Sequence, residues 1–552
     1  MRLPHFFPLA SQAKIANPKA SRPATLVWAN ALYTNPRYIG TIWWIADHLR
    51  DPSKPIVPLS ETAHHPGPLD PTIFSQMAKA LDYSDGRVAD RVRFGHRNMA
   101  EHNLDSVLSA NWAGAYLHHI DISQQVDSEQ DTGWVDAPLE APSTWPFVVD
   151  PQGGVVQGKN DDGTDKCRRT TDKWVTNDAI ANLPGVKLCT NLAIGRAGAI
   201  LECGASGPVA EPMPGEDPDD PRSIADDNRA HLWKIDLTAA YRQVVVHLMC
   251  LYLCHTMWAG KIRLDRRGQF GDASMVEGFQ AITMLILAAG RAAVAGDCAV
   301  RALFPELHHL WQWVDVVPTS PEFEAWVRDR TDAGLDVDEL RLSYTDGYID
   351  DYMGSAFGRR RAFAVAAIFR GILRRCGFPL KASKECLPAR RMTALGGDLD
   401  LDYKTAQLCV ERAQRYTAEA ASVILLRRYP TVLFRQLMGR LVSAAIYEPG
   451  GRTWLVAGFT ALRQALRRDR ENVFLGPGVK KELAFWVATI NAAVGIPLFP
   501  AVDFPPPESP LHRIDWFDAS TSWGMGGACL VRDGDIIAAC LSVKQKTAEL
   551  DV

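Results

Sequence analysis

Two patterns of apolar and polar positions alternate along the chain. Short stretches at 233–237 and 348–352 are rich in aromatic and aliphatic residues and predict β-strands. Longer stretches at 362–375 and 432–445 repeat apolar residues every three or four positions and predict helices. The mixture of the two patterns is typical of the α+β class.

Three loop-rich stretches divide the chain. Prolines and a Gly-Gly pair occupy 138–154, a proline-rich acidic stretch occupies 211–227, and 500–510 contains three consecutive prolines. The acidic stretch predicts a surface loop, and the last one predicts a stiff linker. The predicted divisions are an N-terminal region of unknown role (1–130), two parts of a main unit (131–400 and 401–500), a linker (501–511) and a C-terminal domain (512–552).

The composition excludes several classes of protein. The 552 residues are 47% hydrophobic and 22% charged, which excludes a wholly disordered or collagen-like chain. The 11 cysteines have no Cys-x-x-Cys spacing, and the N-terminus has no apolar signal-peptide core, so we expect cytoplasmic or nuclear residence rather than secretion. The apolar stretch 244–260 begins with three valines and contains two histidines; we interpret it as buried core and predict no membrane partner.

Three aspartates lie where a solvated charge is not expected. Asp236 is inside the strand-like stretch 233–237, and Asp350 and Asp351 have aromatic and aliphatic neighbours within 344–353. Aspartate is a poor strand former, and the other Asp-Asp pairs of the chain have Gly, Pro or Asn neighbours typical of loops. The pattern predicts a hairpin tip between two core strands. Clustered carboxylates need a compensating cation, and their hard oxygen ligands favour Mg²⁺ or Mn²⁺.

Six short motifs, in one order, resemble those of reverse transcriptases. Asp236, followed five residues later by Tyr241, resembles motif A, and Tyr-Ile-Asp-Asp at 348–351 resembles motif C. The others are a fingers segment (Lys-x-Arg-x-x-x-Asp at 166–172), motif B (Gln-Phe-Gly-Asp-Ala-Ser at 269–274), motif D (377–385) and motif E (395–397). The resemblance covers roughly residues 131–500, and it is to retroelement enzymes of the tyrosine-recombinase (DIRS-type) and LTR-like retrotransposons.

This resemblance implies a fold and an activity. The fold would be a right-hand polymerase, with fingers and palm in 131–400 and a helical thumb and connection in 401–500. The activity would be RNA-directed DNA polymerisation with two Mg²⁺ or Mn²⁺ ions, and its partners would be dNTPs, a primer strand and an RNA or DNA template. The sequence leaves the oligomeric state open.

The resemblance also implies roles for individual residues. Asp236 and Asp350 would bind both metal ions with help from Asp351, and Tyr241 would exclude a 2′-hydroxyl by its bulk. The remaining substrate-binding residues would be Lys166, Arg168, Gln269, Phe270, Gly271 and either Lys381 or Lys384. The first two would neutralise the triphosphate, the next three would shape the pocket, and one of the two lysines would protonate the leaving pyrophosphate.

The C-terminal stretch 512–552 resembles the start of a ribonuclease H domain, an α/β fold. Asp518 follows a strand-like stretch, a Gly-rich stretch comes next, and Glu549 follows it. These residues match the first two of the four metal-binding carboxylates of that family. Because the sequence stops at residue 552, we expect a truncated domain without ribonuclease H activity.

The net charge of −4 conceals an uneven distribution. Residues 356–471 contain 22 basic and 9 acidic residues, a net charge of +13, which predicts contacts with nucleic-acid phosphates. The rival functions are an inactive or domesticated copy that only binds nucleic acid and a DNA-templated polymerase. Histidine pairs at 64–65, 118–119 and 308–309 lack zinc-motif companions in the sequence, and we interpret none of them as a zinc site.

Overall fold

We describe a computed structural model of the protein. It describes residues 67–98, 107–140, 142, 147–159, 165–180, 189–201, 220–224, 229–316, 324–325, 327–328, 342–448, 451–491, 495–498, 513–516, 525–532 and 535–543. For the last three of these ranges only the backbone is described.

Helices occur throughout the described part of the chain. They are α1 (Pro71–Ala80), α2 (Arg87–Phe94), α3 (Ala113–Leu117), α4 (His119–Asp131), α5 (Trp174–Asp178), α6 (Asn191–Leu201), α7 (Ala273–Val294), α8 (Cys298–Arg301), α9 (His308–Asp315), α10 (Arg359–Arg375), α11 (Val410–Ile424), α12 (Thr431–Ala444), α13 (Val456–Arg467) and α14 (Pro477–Asn491). The helices predicted at 362–375 and 432–445 correspond to α10 and α12.

Strands group into several small sheets. They are β1 (Val107–Leu108), β2 (Val148–Asp150), β3 (Gln152–Lys159), β4 (Asp165–Thr171), β5 (Ala230–Asp236), β6 (His255–Trp258), β7 (Lys261–Leu264), β8 (Ser343–Tyr348), β9 (Asp351–Phe357), β10 (Cys386–Ala389), β11 (Arg391–Ala394), β12 (Gly397–Asp400), β13 (Thr405–Leu408), β14 (Arg428–Pro430), β15 (Asn472–Phe474), β16 (Ile496–Pro497), β17 (Arg513–Trp516), β18 (Met525–Arg532) and β19 (Asp535–Val543). The sheets have the orders β1-β2-β6-β7, β10-β5-β9-β8, β11-β12-β13-β16, β14-β15, β17-β18-β19 and β3-β4.

The antiparallel sheet β10-β5-β9-β8 lies between two apolar layers. Because side chains alternate along a strand, Trp233 of β5 and Tyr352 of β9 face a core built with α7 and α10. Leu232 and Met353 face the opposite core, which α6 and the β11–β13 sheet complete. Asp236 continues the second of these two rows, with Lys234 between it and the buried Leu232.

The predicted strand at 348–352 is a hairpin turn. β8 ends at Tyr348 and β9 begins at Asp351, so that Ile349 and Asp350 form the tip between two paired strands. The sequence interpretation of a hairpin tip between core strands is therefore confirmed. The strand predicted at 233–237 lies within β5 except for its last residue.

The helices α1 and α2 belong to the central core. Ile73, Phe74 and Met77 are buried in the same apolar cluster as Phe279 of α7. Residues 67–94 therefore pack on the unit that carries the candidate site, although the sequence analysis assigned them to a separate N-terminal region.

Two segments of the chain are apolar enough to be compared with membrane spans. The stretch 244–260 consists of buried valines, a 3₁₀ turn (Leu248–Leu253) and the buried strand β6, as the sequence analysis expected. Helix α7 is long and apolar enough to cross a membrane by length and composition, and 67% of its most apolar window is buried inside the fold. Burial of this kind is typical of a core helix.

The helices α11–α14 have an apolar core of their own. Phe434, Leu437 and Met438 of α12 pack with Leu483 and Trp486 of α14 in this cluster. It lies within the stretch 401–500 that the sequence analysis predicted to be helical.

Candidate active site

Three aspartates lie at one end of the central sheet. Asp236, the last residue of β5, pairs in register with Asp351, the first residue of β9. The next peptide, Leu237 N–H, donates to the carbonyl oxygen of Asp350 at 3.2 Å. Directly opposed residues of antiparallel strands have Cβ atoms about 4.5–5.5 Å apart. The fold thus brings together Asp236 and Asp350, which are 114 residues apart in the sequence.

The hairpin tip that presents Asp350 is held in an unusual conformation by α7. Ile349 has a φ of +55°, which a β-branched residue rarely adopts. Its N–H donates to Gln280 Oε1 at 3.0 Å, and Thr283 Oγ1 donates to its carbonyl oxygen at 2.7 Å. These contacts from a buried helix maintain the strained turn. The sequence analysis missed both residues, although polar residues three positions apart on an apolar helix are a usable signal.

The carboxylates are crowded, and two lysines partly compensate them. Burial, followed by the charge of Asp236, raises the pKa of Asp350. Burial likewise raises the pKa of Asp351 to about 6, against the opposing effect of Lys234, whose Nζ lies 2.9 Å from Asp351 Oδ1. Lys384 Nζ lies 3.1 Å from Asp236 Oδ2. Two adjacent acids whose pKa values are raised in this way form an arrangement that a bound cation would stabilise.

The structure distinguishes the two lysines of the predicted motif D. Lys384 reaches Asp236 with its side chain from the short 3₁₀ turn Ala382–Lys384. Lys381 instead contributes its backbone N–H, which donates to the carbonyl oxygen of Asp236 at 2.9 Å. The Lys384 amine therefore lies at the carboxylates in this conformation.

Three of the predicted substrate-binding residues form one aromatic and cationic cluster. The ring of Phe270 lies 5.2 Å from the ring of Tyr241, and the guanidinium of Arg168 lies 5.7 Å from the centre of the Phe270 ring. Tyr241 also packs edge-on against the buried Phe279 at 5.5 Å. Burial, and next the charge of Asp350, raises the pKa of Tyr241, so its hydroxyl stays protonated. The cluster therefore adjoins the carboxylates.

A buried arginine anchors the turn that carries Tyr241. This 3₁₀ turn (Ala240–Gln243) directly follows β5 and presents Arg242 to the interior. Arg242 donates to both carboxylate oxygens of Asp265 at 2.8 Å and to Glu129 Oε2 at 3.0 Å. Buried, multiply bonded ion pairs fix orientation. The sequence analysis missed this anchor, because its partners are distant in the sequence.

The predicted motif B is a tight loop joined to β4. Gly271 has a φ of +104°, and a Cβ there would lie 2.1 Å from the carbonyl oxygen of Thr171. Asn177 spans the loop, donating to the carbonyl oxygen of Gly271 at 2.8 Å and accepting from Ala273 N–H at 3.0 Å. Gln269 is buried, and among the described residues its amide has no hydrogen-bond partner. An unpaired buried amide is costly, which suits a group that meets a ligand.

Asp272 of the same loop has a structural role. Its carboxylate caps α7 by accepting from Ser274 N–H at 2.9 Å and Met275 N–H at 3.4 Å. It also accepts from Asn98 Nδ2 at 2.9 Å. The charge of the Asp272 carboxylate is therefore satisfied by hydrogen bonds within the fold.

The structure describes no side chain for three of the predicted site residues. Lys166 lies on β4 next to Cys167, and only its backbone is described. Asp518 and Glu549, the predicted ribonuclease H residues, lie outside the described residues.

The basic stretch 356–471 divides into internal and exposed arginines. Arg359 and Arg370 are buried, and Arg370 pairs with Glu385 at 2.9 Å. These residues contribute to the fold, so the net charge of the stretch overstates its basic surface. The exposed arginines of the helical part are Arg415, Arg427, Arg428, Arg435, Arg452, Arg463, Arg467, Arg468 and Arg470.

No protein-family model and no curated protein matches this sequence. Similar solved structures include a foamy viral protease-reverse transcriptase in complex with double-stranded DNA, at 13% identity and a TM-score of 0.44, over 88% of this chain and 71% of that one. Another is a foamy viral protease-reverse transcriptase in complex with an RNA/DNA hybrid, at 14% identity and a TM-score of 0.45, over 82% of this chain and 46% of that one. TM-scores below 0.5 carry no argument about function, so the case rests on the geometry of the site.

Proposed function

We propose that the protein is an RNA-directed DNA polymerase of retrotransposon type, which transfers nucleotides from dNTPs to a primer 3′-hydroxyl. One observation carries the proposal. Asp236, Asp350 and Asp351 converge from separate parts of the sequence at one end of a sheet, next to an aromatic and cationic cluster. In-line phosphoryl transfer needs such a cluster of carboxylates beside a pocket for the nucleotide.

The residues present fit a magnesium centre. Asp236, Asp350 and Asp351 offer hard oxygen ligands, and burial with mutual repulsion raises the pKa of the last two. When bound, two Mg²⁺ ions would activate the primer hydroxyl and neutralise charge on the leaving pyrophosphate. Lys234, paired with Asp351, would keep that carboxylate oriented toward the ions.

The chain's own residues would bind and orient the nucleotide. Arg168 would contact the triphosphate through its forked guanidinium, while its stacking on Phe270 limits its motion. Tyr241, fixed between two aromatic rings, would exclude a ribose 2′-hydroxyl by bulk. Lys384, whose amine lies beside Asp236, would donate a proton to the leaving pyrophosphate.

The subdomains of a right-hand polymerase can be proposed on the same basis. The sheet β10-β5-β9-β8 with α7 and α10 would be the palm, and the hairpin β3–β4 would belong to the fingers. The helices α11–α14, with their separate core and exposed arginines, would be the thumb and connection. The ribonuclease H-like assignment of 512–552 stays a prediction.

Primer extension on poly(rA)·oligo(dT) tests the proposal. We expect Asp350→Asn to lower the extension rate at least about a thousandfold, because the removed charge stabilises the metal ions in the transition state. Binding of the primer–template should change little. The matched control is Asp346→Asn on the same hairpin, whose carboxylate contacts Tyr344 and Arg291 instead of the carboxylate cluster; this variant should extend primers normally.

Two outcomes separate the proposal from its rivals. If the unmodified chain binds the duplex but incorporates no dNTP with Mg²⁺ or Mn²⁺, it is a binding-only copy and the polymerase proposal is wrong. If it extends primers on DNA templates but not on RNA templates, it is a DNA-templated polymerase.

A further inference from the structure

A second group of metal-ligating side chains lies away from the carboxylates. His118, Asp121 and Cys167 each offer one ligand atom, and these atoms all lie within 4.8 Å of one another. His118 Nδ1 is 4.0 Å from Asp121 Oδ2. Imidazole nitrogen, carboxylate oxygen and thiolate sulfur are the three ligand types that Zn²⁺ uses in proteins.

The fold places these three residues together by two local rules. His118 and Asp121 are three positions apart at the start of α4, so they lie on the same side of the helix. Cys167 comes from β4, a distant part of the sequence. Because Cys167 is distant in the sequence, zinc-motif spacing around His118-His119 does not include it.

A glutamine fixes the helix against the strand next to the cluster. Gln125, one turn after Asp121, donates to the carbonyl oxygen of Cys167 at 3.0 Å and accepts from Arg169 N–H at 2.9 Å. One amide group thus bonds both the Cys167 carbonyl and the Arg169 N–H on the same edge of the strand. The helix and the strand are therefore held together next to the three ligand residues.

The dimensions and surroundings suit a small cation with one open position. A tetrahedral Zn²⁺ separates its ligand atoms by roughly 3.3–3.8 Å, which is shorter than the 4.0 Å between His118 Nδ1 and Asp121 Oδ2. Asp121, Cys167 and Arg168 also line a surface cavity of about 420 Å³. This cavity gives a cation a path to the cluster and gives a water molecule room to complete the coordination.

We propose that His118, Asp121 and Cys167 bind one Zn²⁺ ion, with the fourth position filled by water from the adjoining cavity. The ion links α4 to β4 on the hairpin that carries Arg168. The proposal does not depend on the polymerase function, because no ligand of the zinc site belongs to the carboxylate cluster.

Cobalt substitution in the full-length chain tests the proposal. The chain is stripped with EDTA, dialysed, and titrated with Co²⁺ in excess Mg²⁺, which occupies the carboxylate cluster. We expect one equivalent of Co²⁺ with a thiolate-to-cobalt charge-transfer band and tetrahedral d–d bands, both removed when Zn²⁺ is added. Cys167→Ser should remove the charge-transfer band, and His118→Ala should weaken Co²⁺ binding by at least about tenfold.

Controls and a second measurement keep the test decisive. Cys298→Ser removes an exposed cysteine outside the cluster, and His119→Ala removes the exposed neighbour of His118; both should bind Co²⁺ as the unmodified chain does. X-ray absorption of the Zn²⁺-loaded unmodified chain should show one sulfur ligand, whether or not the Cys167 variant folds. Absence of sulfur from that spectrum, or a charge-transfer band that persists in Cys167→Ser, would overturn the proposal.

Discussion

Binding of a divalent cation at the carboxylate cluster should release protons. The number of protons released and the pH dependence of the affinity follow from the pKa of Asp351. Burial raises the pKa of this side chain to about 6, so below that pH it is mostly protonated in the metal-free chain. A metal ion binds only the ionised carboxylate and must displace the proton. With a pKa of about 6, the ionised fraction is roughly nine-tenths at pH 7 and one-tenth at pH 5. The apparent affinity for Mn²⁺ should therefore fall about tenfold from pH 7 to pH 5.

Isothermal titration calorimetry in two buffers of different ionisation enthalpy measures this effect. At pH 6, the binding of Mn²⁺ should release about half a proton from Asp351, in addition to any contribution from Asp350. Asp351→Asn should remove this half proton, whereas Asp346→Asn on the same hairpin should retain it. If Mn²⁺ bound to the carboxylates with the same affinity at pH 5 and pH 7, the assignment of a raised pKa and of a metal ligand to Asp351 would be refuted.

Three other predictions follow from contacts in and around the site. Tyr241→Ala should raise the kcat/KM for ribonucleotides relative to deoxyribonucleotides in single-nucleotide extension, because the ring that would exclude the 2′-hydroxyl is removed; an unchanged ratio would contradict that role. Gly271→Ala should lower the free energy of unfolding in urea by about 1–3 kcal/mol, because its Cβ would collide with the carbonyl oxygen of Thr171 and its φ is strained for alanine. Gly439→Ala, whose Cβ would meet nothing within 4 Å, should instead raise it by about 0.5–1 kcal/mol, and equal effects at the two positions would contradict the geometry. Arg467→Ala should reduce the slope of log K against log[salt] for duplex binding by about one, measured by fluorescence anisotropy, and an unchanged slope would place this residue outside the nucleic-acid surface.

Local patterns in the sequence were sufficient for two helices, one strand and the hairpin of the candidate site. Aspartates embedded among aromatic and aliphatic neighbours at 344–353 indicated a turn between core strands, and the turn is there. The periodicity at 362–375 and 432–445 located α10 and α12. These predictions succeed because strand alternation, helical periodicity and turn formation depend on residues that are close together in the chain.

Contacts between distant parts of the chain determined the details of the site. The sequence left open whether Lys381 or Lys384 of motif D lies at the carboxylates. Only the position of β5 beside their loop shows that the Lys384 amine reaches Asp236. The basic stretch 356–471 was predicted to contact nucleic-acid phosphates from the surface, but its residues Arg359 and Arg370 are buried. Each of these outcomes depends on which partner a side chain meets across the fold, and no short window of sequence contains that partner.

The sequence by itself determined the mixed helix-and-strand class, most of strand β5, the hairpin turn at 349–350, and which aspartates have apolar neighbours. The tertiary structure decided that those acids lie at the same end of one sheet, that Gln280 and Thr283 hold their turn, and that Cys167 approaches His118. The physical reason is the range of the interactions. Backbone conformation follows mainly from near neighbours, whereas charge compensation and metal ligation require atoms within a few ångströms, which only packing of distant segments brings together.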